Sequence, residues 1–153
     1  MSRTKNQGDD KECIRTALLE LLTLQNYIKH STIPYFGKLL ARLIEVDTIP
    51  FLLLTKDGFL EVMGTEQKGR KQQIEIFQSK YFRIEEIDED GHCAKISLLR
   101  SFDIYGKDTN ALCDVAKLRK TACCVEIDLN CICGIQCMDI ELLKRDYIIE
   151  PKW

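Results

Sequence analysis

The chain lacks the features that mark several common classes of protein. Its 153 residues carry a formal net charge of −2, which provides no electrostatic basis for binding nucleic acid or an anionic membrane surface. The first ten residues contain no apolar core of a secretory signal, and no run approaches the roughly 20 apolar residues of a membrane span. We therefore expect no nucleic-acid partner, no membrane partner and no secretory export.

Motifs of catalysis are also missing. The sequence has no Cys-x-x-Cys pair and no glycine-rich phosphate loop, and its two histidines, His30 and His92, stand far apart. A nucleophilic cysteine needs a base or a cationic neighbour, and His92 precedes Cys93 on a predicted strand, where neighbouring side chains point to opposite faces. The sequence therefore predicts no enzyme, no catalytic residue, no metal and no cofactor.

Cysteine, by contrast, is abundant. The chain has eight cysteines in 153 residues, a share above ordinary usage and below the ~8–10% of small disulfide scaffolds. A chain of this length does not need disulfides to fold. In a reducing compartment, cysteines are usually metal ligands, catalysts or core residues, so the positions of these eight decide among the roles.

Five of the eight cysteines lie within residues 123–137, where apolar side chains recur with the strand period of two. Successive strand side chains point to opposite faces, so one face of this strand is predicted to be buried and the other wet. A continuous strand here would be about 50 Å long, so we expect a bend near Asn130 or Gly134. Four cysteines fall on the predicted buried face, as small core residues or in disulfides between adjacent strands: Cys123, Cys131, Cys133 and Cys137.

The other four cysteines are predicted to face solvent. An exposed free thiol is a liability in a soluble monomer, and several of them indicate an assembly that uses disulfide bonds between subunits. These candidates for intermolecular disulfides are Cys13, Cys93, Cys113 and Cys124.

A zinc-stabilised interaction domain is the alternative interpretation of the cysteine cluster. Its ligands would be Cys131, Cys133, Cys137 and one of Cys113 or Cys123. The spacing of Cys133 and Cys137 fits a structural zinc site only if the strand ends between them.

One amphipathic helix is predicted near the N-terminus, from about residue 12 to residue 30. Asp9 or Asp10 is suited to cap its start. The following residues, 31–47, fit either a short helix or an extended linker, because Pro34 prevents helix continuation. The apolar stripe of the predicted helix comprises Ile14, Ala17, Leu18, Leu21, Leu22, Leu24 and Ile28.

The rest of the chain has the pattern of short strands separated by turns. Phe51–Thr55 and Phe59–Met63 flank Asp57-Gly58, a typical hairpin turn. Residues 65–73 are polar and are predicted to form a solvated loop. Further strands are predicted at 74–77, 81–87, 93–100 and 102–105, with a turn at 88–91 and a short helix at 138–145.

These elements predict a single α+β, mainly β domain. Its expected architecture is an antiparallel β-sandwich or a partly open barrel preceded by a helix. The expected segments are a disordered tail over residues 1–11, the helix and linker over 12–46, the β-rich domain over 47–145 and a C-terminal tail over 146–153.

Three segments resemble the CotY/CotZ/ExsY family of spore coat and exosporium proteins. The most specific is residues 124–137, an acidic strand followed by the run Cys131-Ile132-Cys133-Gly134-Ile135-Gln136-Cys137. Residues 47–52 and 81–100 support the resemblance. Cys13 is similar to a family cysteine at the start of the N-terminal helix.

The resemblance implies a structural protein that self-assembles into two-dimensional arrays in an outer spore layer, reinforced by disulfides. The implied partners are further copies of the chain and other spore coat or exosporium proteins. Synthesis in the mother-cell cytoplasm, with oxidation after mother-cell lysis, agrees with the missing signal. The chain departs from the family in having no cysteine within residues 31–47 and no histidine-rich C-terminal tail, so we expect less dense cross-linking.

Overall fold

The computed structural model describes residues 7–29, 48–69 and 73–138, with the side chains of the helix described over 13–27. Within these residues, an N-terminal helix is followed by antiparallel strands in a single domain, which confirms the predicted α+β, mainly β class. The expectations for residues 31–47, for a helix after Met138 and for a C-terminal tail lie outside the described residues.

Helix α1 spans Gln7–Lys29, so it begins before the predicted start at residue 12, and Asp9 and Asp10 lie inside it rather than capping it. Its buried side chains follow helical spacing. Leu24, predicted to face the core, is 52% exposed. The position on the buried stripe is occupied by Gln25 instead, which is 2% exposed.

The strands largely follow the predicted pattern. The predicted strand at 102–105 is wrong, because Phe102 ends a longer strand and residues 104–105 form a turn. Two 3-10 turns, Leu112–Asp114 and Leu129–Cys131, interrupt the later part of the chain. The strands are β1 Phe51–Thr55, β2 Gly58–Phe59, β3 Val62–Lys68, β4 Gln73–Ser79, β5 Tyr81–Ile87, β6 Cys93–Phe102, β7 Lys117–Asp128 and β8 Gly134–Cys137.

The main sheet is antiparallel, with β2 and β5 on one edge of β1, β8 on the other, and β6 and β7 following β5. Leu54 of β1 pairs with Phe59 of β2 and with Gly134 of β8, so β2 and β8 must lie on opposite sides of β1. Strands β7 and β8 therefore lie at opposite edges, although only residues 129–133 join them. The two edges must approach each other, and the sheet curls into a half-barrel, the partly open barrel of the prediction.

Strands β3 and β4 form a separate two-stranded hairpin. The predicted solvated loop over residues 65–73 is therefore wrong at both ends, because Thr65–Lys68 and Gln73 are paired strand residues. The hairpin lies close over β6: a Cβ atom at Gly64 would fall 2.7 Å from the Leu98 side chain. Val62 and Met63 belong to this hairpin rather than to the predicted β1 hairpin, whose second arm ends at Phe59.

The concave face of the half-barrel holds the larger core. It is built from the helix, the hairpin and most strands, whereas a smaller cluster covers the opposite face. The concave core contains Ile14, Leu18, Leu21, Phe51, Leu53, Phe77, Phe82, Ile84, Ala94, Ile96, Leu98, Leu129 and Ile132. The outer cluster contains Leu52, Tyr81, Leu99 and Leu118.

Arg100 on β6 joins the hairpin to the sheet. It is 7% exposed and donates two hydrogen bonds to Asp108, from Nε and Nη2, both 2.7 Å long. The guanidinium also contacts Glu66 at 3.1 Å and Glu75 at 2.6 Å, both on the hairpin. Because hydrogen bonds between charged groups favour the ionised carboxylates, Arg100 holds the pKa values of Asp108 and Glu75 below their ordinary range, with Lys68 adding to the effect on Glu75.

Candidate functional site

All eight cysteines lie in the described part of the chain, and all eight are free thiols. None is fully buried: Cys93 and Cys123 are half-buried, and the other six are exposed. The structure therefore presents thiols over much of the domain surface rather than in one pocket.

Strand β7 alternates as its sequence predicts. Cys123, Val125 and Ile127 pack against the concave core, whereas Cys124 is exposed on the outer face. Opposite Leu98 the strand carries a bulge between Lys120 and Cys124, where the pairing with β6 shifts register.

The predicted bend lies at Asn130, where the strand gives way to a 3-10 turn. The Asp128 carboxylate accepts a hydrogen bond from the Asn130 backbone N–H at 2.9 Å and so caps the turn. In the turn and directly after it, the buried positions are Leu129 and Ile132, three residues apart. The strand period of two no longer applies there, because a 3-10 turn repeats every three residues.

This change of period corrects the assignment of two cysteines. Cys131 and Cys133, expected in the core, flank the buried Ile132 and are exposed. Cys137 keeps the predicted face, because it pairs with Phe51 and lies on the same side of β8 as Ile135, which packs against the core. It is nevertheless exposed, since it is the last residue of an edge strand. Of the four predicted core cysteines, Cys123 alone packs against the core, and no disulfide joins these four.

The four predicted solvent-facing cysteines lie on separate elements. Cys13 is exposed on α1, Cys113 is exposed in the 3-10 turn Leu112–Asp114, and Cys124 is exposed on β7. Cys93, at the start of β6, is half-buried rather than fully exposed.

Two thiols have perturbed acidity. Desolvation raises the pKa of Cys93, and the negative charges of Asp88, Asp128 and Glu126 raise it further. Desolvation alone raises the pKa of Cys137, even though part of its surface is open to solvent. Both thiols therefore hold less of the reactive thiolate near neutral pH than an ordinary cysteine does.

The strand geometry separates thiols that share a face. Cys93 pairs with Asp128 and Cys124 pairs with Ser97, so the two thiols lie on the outer face but are offset by four residues. Four extended residues span about 13 Å, whereas the Cα atoms of a disulfide are usually about 4.4–6.8 Å apart. Cys93 and Cys124 are therefore not placed to bond within one chain.

The cysteines proposed as zinc ligands in the alternative interpretation do not cluster in the described part of the chain. Within residues 13–27, 48–69 and 73–138, no group of three or more Cys, His, Asp or Glu side chains is close enough to hold a metal ion. Cys113 lies on the side of the outer cluster, where it contributes to the raised pKa of the buried Tyr81. Cys123 packs on the opposite, concave face. Neither residue supplies a fourth ligand near Cys131, Cys133 and Cys137.

Comparison with known proteins gives one consistent result. The family model described as spore coat protein Z matches residues 1–140 of the chain. Spore coat protein Z of Bacillus subtilis (strain 168) is 30% identical over 142 residues, which cover 88% of this chain and 94% of that protein. No solved structure matches the chain.

The chain belongs to the spore coat protein Z family. This membership confirms the resemblance seen in the sequence and supports a structural role in the spore coat. In the part of the chain that is described, no helix combines the length and the apolarity that a membrane crossing requires.

This member of the spore coat protein Z family also carries an apolar surface that the sequence analysis missed. The outer face of the hairpin exposes Met63, Ile74 and Ile76, with exposed fractions of 61%, 64% and 65%. The alternation of Ile74, Glu75, Ile76 and Phe77 was a usable signal, because a buried Phe77 puts both isoleucines on the opposite face. We refer to Met63, Ile74 and Ile76 as the hairpin patch.

Proposed function

We propose that the protein is a self-assembling building block of the spore coat, in which subunits form two-dimensional arrays and disulfides between subunits reinforce the contacts. Its partners are other copies of itself and other coat proteins. Membership of the spore coat protein Z family supports the structural role and the location.

The placement of the thiols is the observation that carries the proposal. All eight are free and at least partly exposed, on the helix, on β6, β7 and β8, and in both 3-10 turns or beside them. A protein that used its cysteines only as core residues would bury them. Thiols spread over several faces instead suit bonds to several neighbours, as a layer requires.

The structure enlarges the set of candidate cross-linking residues. The four candidates from the sequence are Cys13, Cys93, Cys113 and Cys124, and exposure adds Cys131, Cys133 and Cys137. Each disulfide forms when two thiols release two protons and two electrons, which dioxygen accepts. We place assembly by non-covalent contacts before cross-linking, so that oxidation stabilises contacts that already exist.

The hairpin patch supplies a surface for non-covalent contact. A large isoleucine side chain contributes about 1.5–3 kcal/mol when it passes from water into a buried interface. Ile74 and Ile76 are about two-thirds exposed in the single chain, so most of that contribution is available to a partner. A sheet-like array needs more than one contact surface on each subunit, and the patch supplies one of them.

Gel electrophoresis of the purified protein tests the disulfide part of this proposal. After purification in reductant and oxidation in air, we expect a series of covalent oligomers without reductant and a single monomer band with it. A matched variant with all seven candidate cysteines changed to Ser keeps only the half-buried Cys123 and should form no oligomer beyond a dimer. If wild-type protein runs entirely as monomer without reductant, the proposal of intermolecular disulfides is wrong.

A further inference from the structure

Strand β7 forms one edge of the half-barrel. It pairs with β6, and no second strand in the described ranges pairs with its outer edge. An edge strand presents a row of backbone N–H and C=O groups that a further strand can bind. At 12 residues, β7 is longer than the usual strand of about 5–6 residues, so it offers a long edge.

One hydrogen bond shows which groups face outward. The Leu129 N–H donates to the His92 carbonyl at 2.9 Å, which marks these two opposing residues as a hydrogen-bonded pair. In an antiparallel ladder such pairs alternate with pairs that exchange no hydrogen bonds. The register then gives Val125 and Ile127 hydrogen bonds to β6, whereas the backbone N–H and C=O of Cys124 and Glu126 point away from β6.

We propose that this edge pairs antiparallel with the same edge of a second copy of the chain, with Cys124 of each copy opposite the other. The inference rests on the proposed function and names one contact of the array. Counted along the sequence, a two-fold axis at Cys124 places Ala122 opposite Glu126 and brings Lys120 to the end of the strand that holds Asp128; the bulge between Lys120 and Cys124 lies between these two contacts.

Charge favours this register and this partner. Strand β7 is basic in its first half, with Lys117, Arg119 and Lys120, and acidic in its second half, with Glu126 and Asp128. Arg119 is already paired with Glu66 of the hairpin at 2.6 Å, so the charge that an antiparallel copy brings together is that of Lys120 in one strand and Asp128 in the other. A two-fold axis at Glu126 would instead place two carboxylates directly opposite each other, which destabilises a strand pair.

The same register suits a covalent bond. Directly opposed residues in a hydrogen-bonded antiparallel pair have Cα atoms about 5.5 Å apart, within the usual disulfide range of about 4.4–6.8 Å. Cys124 is exposed on the outer face, so its thiol is accessible. Oxidation by dioxygen joins the two Sγ atoms, with loss of one proton and one electron from each thiol.

Single-cysteine variants test the contact. One variant retains Cys124 and has the other seven cysteines changed to Ser, and its matched control retains only Cys113, which is exposed but lies off the strand edge. In air and without reductant, we expect the variant with Cys124 to become a covalent dimer and the control to remain mostly monomeric. Equal dimer formation by the two variants would overturn the inference.

A proline substitution tests the strand pairing itself. Glu126→Pro removes a backbone N–H that points away from β6, so the ladder within the chain keeps its hydrogen bonds. Added to the variant with Cys124 alone, it should abolish the covalent dimer without changing the melting temperature. A persistent dimer in a folded variant would overturn the inference. If the substitution unfolds the domain, hydrogen exchange of the parent decides: the Cys124 and Glu126 amides gain protection on assembly, or the inference is wrong.

These outcomes separate the contact from the proposed function. If wild-type protein forms ordered sheets and Glu126→Pro forms the same sheets, the β7 contact is wrong and the proposed function stands. If the variant with Cys124 alone dimerises but wild-type protein forms no array, the contact stands and the proposed function fails.

Discussion

The side chain of Gln25 in α1 donates a 2.9 Å hydrogen bond from Nε2 to the backbone carbonyl of Ile84 in β5. Its Oε1 atom accepts a second hydrogen bond, from the Ile49 N–H at 3.2 Å. Gln25 is 2% exposed, so one buried amide connects the helix to the central sheet and to the segment that enters β1.

We predict that Gln25→Ala lowers the free energy of unfolding by about 2 kcal/mol, because it removes the side-chain partner of the buried Ile84 carbonyl and of the partly buried Ile49 N–H and opens a small cavity. Urea denaturation measures the effect. Asn26→Ala, one position along on the exposed face, is the matched control and should change stability by less than about 0.5 kcal/mol. Equal effects of the two substitutions would contradict this role for Gln25.

The sequence predicts the fold class and most strands, because strand period and turn residues are local signals. The sequence analysis places Leu24 in the core because leucine is apolar, and it overlooks Gln25 because glutamine is polar. The helical spacing from Leu18 and Leu21 instead buries position 25. A buried amide is stable there only because the sheet supplies Ile84 as a partner, and that contact spans 59 residues.

In the cysteine-rich segment, too, the local sequence pattern predicts only some of the buried and exposed positions. Its predicted alternation of half-buried and exposed side chains is correct from Cys123 to Asp128, the last residue of β7. The sequence predicts the bend at Asn130, but not that the bend takes the form of a 3-10 turn with a new period. That turn exposes Cys131 and Cys133, so the exposure of these two thiols depends on a local geometry that composition does not reveal.

The Arg100 cluster predicts a loss of stability in acid. The folded-state pKa values of Asp108 and Glu75 lie below those of the unfolded chain. Their contribution is therefore complete above the unfolded pKa of about 4 and is lost as the pH falls through the lowered folded values. We expect the urea midpoint of the wild-type protein to fall steeply below about pH 4.

Arg100→Met is the matched variant for that pH dependence. It should be less stable than wild type at pH 7, and its stability should change less between pH 5 and about pH 3, because the carboxylates no longer have their main partner. Parallel pH profiles of the two proteins would show that Arg100 does not set the acid sensitivity.

Tyr81 presents the opposite case, a buried polar group without a partner. Its side chain is fully buried, and its hydroxyl has no hydrogen-bond partner within the described residues. Burial, with a smaller effect of Cys113, raises the pKa of Tyr81 to about 12. We predict that Tyr81→Phe leaves stability unchanged or raises it by up to about 1 kcal/mol in thermal unfolding. A loss above about 1 kcal/mol would indicate that the hydroxyl has a partner.

The hairpin patch predicts a change in assembly without a change in folding. Replacing Ile74 and Ile76 by Thr keeps β-branched side chains and removes apolar surface that is about two-thirds exposed. The concentration at which wild-type protein assembles, followed by light scattering, should rise at least about tenfold in the double variant. Its melting temperature in the monomeric state should stay within about 2 °C of wild type. Gln78→Thr, on the same hairpin face, is the control and should assemble as wild type does.

Electron microscopy of the purified full-length protein tests the central claim most directly. We predict that the protein, concentrated without reductant, forms ordered two-dimensional sheets, and that oxidised sheets resist heat or urea until reductant is added. Separate particles of single-chain size under all these conditions would contradict a self-assembling, disulfide-reinforced coat layer.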